Sequence, residues 1–169
     1  MKNLKNLLLI AVLMLGIGGV ANAQKVGHIN AEKLIANMPE TKALKSEMEK
    51  LQKTYKDEID TKAKKLEAKY KKYEAEAKTQ TKEMNAKRAQ EIQAENQTIE
   101  QARQLAYQDM QKRQAQKLNP IFEKAQKAIQ AVAAEKGIQY VLDASAGKGL
   151  LVFEKGVDLY DAVKAKLGF

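Results

Sequence analysis

Between Glu40 and Lys136 the chain has no glycine and a single proline, Pro120; all nine glycines lie at or before Gly27 or at or after Gly137. A stretch that long without breakers, filled with Ala, Lys, Glu and Gln, favours helix at nearly every position. In its first half the apolar residues Leu44, Met48, Leu51, Tyr55, Ile59, Leu66, Tyr70, Tyr73 and Ala77 recur in steps of mostly three and four, the spacing of a coiled-coil seam. In the second half Ile92, Ile99 and Ala106 keep sevenfold steps among Gln, Asn and Lys, so the seam thins until Ile121, Phe122, Ala125, Ile129 and Val132.

The seam is interrupted at Lys78-Thr79-Gln80-Thr81. Thr81 is placed to cap a new helix beginning at Lys82, so a reversal near residues 78–81 is the preferred reading. Two antiparallel arms of about 40 residues would each reach roughly 60 Å at 1.5 Å per residue. One unbroken parallel rod is the alternative.

The ends are of another kind. Val26-Gly27-His28-Ile29 is a short strand candidate, and Asn30 caps a brief helix from Ala31 to Asn37 that Pro39 stops. Gly137 is a C-cap for the long helix, and Ile138 to Ala144 and Leu150 to Glu154 form a hairpin around Ala146-Gly147-Lys148-Gly149. A last amphipathic helix uses Val157, Leu159, Tyr160, Val163 and Leu167. The fold class is therefore α+β, a long helical hairpin on a small antiparallel sheet of N- and C-terminal strands. So small a sheet buries little and leaves edges open, which favours self-association through Val26, Ile29, Val141, Leu142, Leu151 and Val152.

Residues 1–23 carry Lys2 and Lys5, an apolar run from Leu7 to Val20, and Ala21-Asn22-Ala23, the pattern of an export signal cleaved after Ala23. No Cys is present to take a lipid anchor or a disulfide. Body segments are expected at 24–39 and 137–169, flanking the arm at 40–136. Removal of the signal takes two of the 30 basic residues and none of the 21 acidic ones, leaving a charge of +7. That balance admits anionic partners of several kinds, including anionic lipid and lipopolysaccharide. Nucleic acid is disfavoured, because aromatic interleaving and base-reading helices are absent and the signal removes the chain from the cytoplasm.

Catalysis finds little footing in one His, no Cys and acids scattered among lysines. Gly147-Lys148-Gly149 lacks the spacing of a phosphate loop, and His28 has no second ligand nearby in sequence. No cofactor, metal or enzymatic activity is expected.

The opening Lys25-Val26-Gly27-His28-Ile29-Asn30, the run Leu118-Asn119-Pro120-Ile121-Phe122-Glu123-Lys124, the segment Gly137 to Ser145 and the closing Val157-Asp158-Leu159-Tyr160-Asp161-Ala162-Val163 resemble the Skp, or OmpH-like, family of periplasmic chaperones. The resemblance covers the whole mature chain and departs from a common Asp-Ile-Thr-like helix start, where this chain has Asp158-Leu159-Tyr160. It implies a homotrimer whose strands form a central barrel, with helical hairpins around a cavity that holds unfolded outer-membrane β-barrel proteins without nucleotide.

Under that resemblance, Lys62, Lys64, Lys65, Lys69, Lys71 and Lys72, opposed in that stretch by Glu67 alone, would attract acidic parts of a client. Tyr70, Tyr73, Met84, Tyr107 and Met110 would hold apolar side chains loosely, unless they close the seam between the helices. A coiled-coil scaffold of the envelope without a client is the competing function.

Overall fold

Pro39 divides the N-terminal segment in two. Before it, Asn30 accepts a hydrogen bond from the Lys33 N–H at 2.8 Å and starts helix α1, Ala31–Asn37. Pro39 then occupies the start of α2, Pro39–Glu76, where its missing N–H would have had no helical partner. The computed structural model describes residues 25–150 and 155–169. The export signal expected over 1–23, and the hairpin strand beyond Leu150, lie outside the described residues.

Helix α2 closes in a 3-10 turn at Ala77–Thr79. The Thr81 hydroxyl then accepts the Met84 N–H at 3.2 Å and opens α3, Lys82–Glu135. Asn85 donates to the Ala77 carbonyl at 2.9 Å, tying the new helix to the old one across the bend. Pairs between the helices step backward along one as they step forward along the other: Glu40 with Lys124, Glu47 with Lys117, Tyr55 with Asp109, Lys69 with Glu91, Glu76 with Arg88. The two helices therefore run antiparallel. Helix α3 continues through Pro120, which removes one backbone rung. It stops where Gly137 takes φ +64° and the Ile138 N–H returns to the Ala133 carbonyl at 2.8 Å, a glycine-terminated helix end.

The sheet differs from expectation. Strand β1, Val26–Ile29, lies at its centre, between β2, Tyr140–Asp143, and β3, Val157–Asp158. Both neighbours run parallel to it, with Val26 opposite Tyr140 and Gly27 opposite Val157. The antiparallel sheet is thus corrected to a parallel one. The physical reason is the connection: β1 and β2 are joined by the whole arm, out and back, and a crossover that long leaves parallel pairing open where a tight turn would not. The second correction is Val157, expected in the last helix but found in β3; helix α4 runs Tyr160–Leu167. The Leu159 N–H donates to the His28 carbonyl at 3.0 Å, and Asp158 Oδ1 accepts the Tyr160 N–H at 2.8 Å, so the sheet hands the chain directly into the helix.

Leu34, Met38, Leu159 and Val163 are the fully buried centre of the body core, joined by Ile29, Leu44, Ile121, Ala125, Val132 and Ile138. That core welds α1, the base of α2, the last third of α3 and α4. Beyond it the arm buries only Leu66, Ile99 and Ala106 among the described residues. An Asp143 carboxylate at the end of β2 accepts from the Ser145 N–H at 3.0 Å and the Ala31 N–H at 3.3 Å, and the Ser145 hydroxyl accepts from the Glu32 N–H at 3.1 Å. The end of β2 is thereby tied to the first turn of α1.

Candidate functional site: the arm surface and the open sheet face

The six lysines of the α2 stretch divide by helical position. Lys62, Lys64, Lys65 and Lys72 are exposed, and Lys62 and Lys65 line a shallow groove with Thr54, Asp57, Glu58 and Thr61, to which α3 contributes nothing. That is the outer side of the arm. Lys71, also exposed, pairs with Glu67 one turn earlier at 2.7 Å, a contact worth little in solvent. Lys69 faces the other way, bridging Glu91 at 2.6 Å and Glu95 on α3. These hydrogen bonds raise its pKa, so it is a fixed cation of the seam.

Tyr73 belongs to the same clasp. Its hydroxyl donates to Glu91 at 2.7 Å, and the Arg88 guanidinium sits 4.4 Å from its ring centre while binding Glu76 at 2.7 Å. Lys69 first and Tyr73 second hold the Glu91 carboxyl below its usual value. Nearer the body, Tyr55 donates to Asp109 at 2.6 Å, which also accepts from Arg113. The Tyr55 phenol is held up and the Asp109 carboxyl down by that bond. The arm seam is therefore as much ionic as apolar.

Of the remaining candidates, Met110 is half-buried near the Tyr55 contact, whereas Tyr70, Met84 and Tyr107 stand in solvent. Sequence reasoning missed Leu105, which is 65% exposed beside Tyr107 at 66%. The signal was present: the sevenfold step from Ile99 to Ala106 fixes the seam and puts position 105 off it.

A second surface lies on the sheet. Side chains alternate along a strand, so Val26 shares a face with Tyr140 and Leu142, while Gly27 and Ile29 point to the core. On the outward face Val26, Tyr140 and Leu142 are 37%, 56% and 43% exposed, three open apolar side chains on the face that His28 shares. Ile29, expected to join copies, is only 2% exposed and is consumed by the core of its own chain. Val141 is likewise on the inner face, packed against that core. Residues three apart, or adjacent, cannot share a face in a strand, which is the physical reason these two separate from Val26 and Leu142. Leu151 and Val152 lie outside the described residues.

Among the described residues no three His, Asp or Glu side chains converge as metal ligands would, and no helix is long and apolar enough to cross a membrane. Gly147 and Gly149 take φ +78° and +82° around Lys148, whose N–H donates to the Ser145 carbonyl at 3.2 Å, a turn held by its own backbone.

Known proteins resemble the chain along most of its length. A Chaperone protein Skp from Yersinia enterocolitica is 25% identical over 145 residues, covering 85% of this chain and 88% of the relative. One from Pectobacterium atrosepticum is 23% identical over 137 residues, covering 81% and 83%. A crystal structure described as an OmpH-like outer membrane chaperone, from Caulobacter crescentus, superposes with a TM-score of 0.76 at 18% identity, over 84% of this chain and 82% of that one, a likeness of fold. The model of the family described as outer membrane protein (OmpH-like) matches residues 25–167, and the chain belongs to that family, the Skp family of the sequence resemblance.

Proposed function

We propose that this protein is a periplasmic holding chaperone. It binds unfolded outer-membrane β-barrel proteins after export and keeps them from aggregating, without ATP and without a catalytic step. Copies join as a homotrimer through the open sheet face, and their arms enclose the client.

One observation carries the reading: a small body presents the apolar face Val26, Tyr140 and Leu142, while the long arm leaves Lys62, Lys64, Lys65 and Lys72 exposed, with Tyr70 and Tyr107 also open. Apolar surface of that kind on a domain this small favours association. Positive charge and scattered aromatics on a helical arm suit capture of many sequences, because attraction at a distance demands no shape complementarity. The Skp name of the relatives supports the same reading. The export signal expected over 1–23 supports a periplasmic location.

The test is aggregation of a urea-unfolded outer-membrane β-barrel protein on dilution, followed by light scattering with purified residues 24–169, together with sedimentation of the chaperone alone. Suppression at one trimer per client, and a trimer at micromolar concentration, is the expected result. A chain that sediments as a trimer yet leaves scattering unchanged is a scaffold of the envelope. A monomer removes the cavity.

A further inference from the structure

On α3, every glutamine between residues 90 and 111 falls on one stripe. Seven of them, from Gln90 to Gln111, recur in steps of 3, 4, 4, 3, 4 and 3, and all are exposed. The heptad Gln90, Gln97, Gln104 and Gln111 sits two residues ahead of the seam positions Ile92, Ile99 and Ala106, about 200° round the helix at 100° per residue. The stripe is therefore the side of α3 turned away from α2. It runs about 31 Å.

Charge sets this face apart from the rest of the arm. In a chain that is 30% charged, the side of α3 facing away from α2 carries between Lys87 and Lys112 only Glu100, and Arg103 meets that carboxylate at 3.0 Å. The α2 stretch that runs alongside carries six lysines against Glu67. Gln93, Gln97 and Gln101 line a shallow open groove with Ala89, Ile92, Asn96 and Glu100. Exposed Leu105 and Tyr107 flank the stripe on either side.

A primary amide offers donors and acceptors together and no net charge, the same inventory as a peptide group. Apart from the Glu100–Arg103 pair, a charged ligand finds no counter-ion on such a face, while an unpaired backbone finds both partners it lacks. We propose that the glutamine stripe of α3 binds the extended backbone of an unfolded polypeptide, with Leu105 and Tyr107 taking its apolar side chains; the proposal rests on the chaperone reading above. A step of three or four helical residues rises about 4.5–6 Å, against about 6.7 Å for each two-residue repeat of an extended chain. The two periods do not lock, so no register and no client sequence is selected. About nine extended residues fit along the stripe, each bond weak alone.

The experiment uses residues 24–169 with Gln93, Gln97, Gln101 and Gln104 changed together to Ala, which keeps helix propensity high. Binding of a fluorescently labelled, urea-unfolded outer-membrane β-barrel protein is titrated at low and high salt. A loss of about tenfold in affinity at both salts is expected, from four weak hydrogen bonds partly replaced by water. A photo-crosslinker at Gln101 of the otherwise unchanged chain is expected to capture the client more often than one at Lys64. Unchanged affinity in the alanine variant, or a loss confined to low salt, overturns the proposal while wild-type binding leaves the chaperone reading standing. A changed sedimentation coefficient of the variant without client assigns the stripe to a second copy of the chain and also overturns it. Wild-type protein that binds no client removes both readings together.

Discussion

Leu34→Ala tests where the stability of this molecule resides. Leu34 has no solvent exposure and lies in the cluster with Met38, Leu159 and Val163, where α1, α2, α3 and α4 converge. Truncation removes three carbons from water-free surroundings, about 2.4 kcal/mol at roughly 0.8 kcal/mol per methylene. The cavity adds to this because four elements fix its walls, giving about 3–4 kcal/mol. Leu66→Ala is the internal control. Leu66 is nearly as buried, yet it sits in a two-helix seam with exposed residues on both sides, so its surroundings can close over the gap and little beyond the same transfer cost, about 2–2.5 kcal/mol, is expected. The assay is urea unfolding followed by circular dichroism at one fixed protein concentration, since association of copies adds a concentration-dependent term. A Leu34→Ala cost below about 1 kcal/mol, or below that of Leu66→Ala, would refute the placement of the core in the body.

Asp143 supplies an acid-sensitive latch. Burial pushes its pKa up, but the Ser145 hydroxyl and the N–H groups of Ser145 and Ala31 outweigh that and hold it below the usual carboxylate value. A depressed folded pKa gives stability that is present above the unfolded value and lost as pH falls through the folded one. Asp143→Ala is therefore expected to cost about 1–3 kcal/mol at neutral pH, with the gap to wild type closing in acid; a gap independent of pH refutes the latch. At Gly27 an added Cβ would lie 3.2 Å from Ile138 Cγ2 and from Leu159 Cδ1. Gly27→Val is expected to lower the melting temperature by overpacking worth about 1–3 kcal/mol, and an unchanged melting temperature would show that the sheet does not press on these side chains.

The long helices were legible because their cause is local: breakers are absent from Glu40 to Lys136 except at Pro120, and the seam residues repeat. Thr81 was legible for the same reason, since a cap depends on the three residues after it. Strand direction was not. Nothing in Val26–Ile29 or Tyr140–Asp143 records whether they run together or opposed, because that depends on how α2 and α3 return the chain. The two-residue β3 has no pattern of its own and exists through its pairing with Gly27 and His28. At the arm, Lys69 and Lys72 look alike in sequence; only the pairing with α3 shows that one is bound to Glu91 and Glu95 and the other is exposed. The glutamine stripe and Leu105 are visible only after the seam is known, since they are defined by facing away from it.

Under the proposed chaperone reading, two surfaces on one hairpin would divide the work of holding a client by distance. Coulomb attraction from Lys62, Lys64, Lys65 and Lys72 acts over a Debye length of about 8 Å at physiological salt and needs no contact. Amide hydrogen bonds from Gln93, Gln97, Gln101 and Gln104 act only at about 3 Å and vary little with salt. Removing the lysines therefore lowers the association rate and its salt dependence, whereas removing the glutamines raises the dissociation rate. If both sets instead changed the same rate constant, the arm would be a single undifferentiated surface, and the separation of its faces would have no functional meaning.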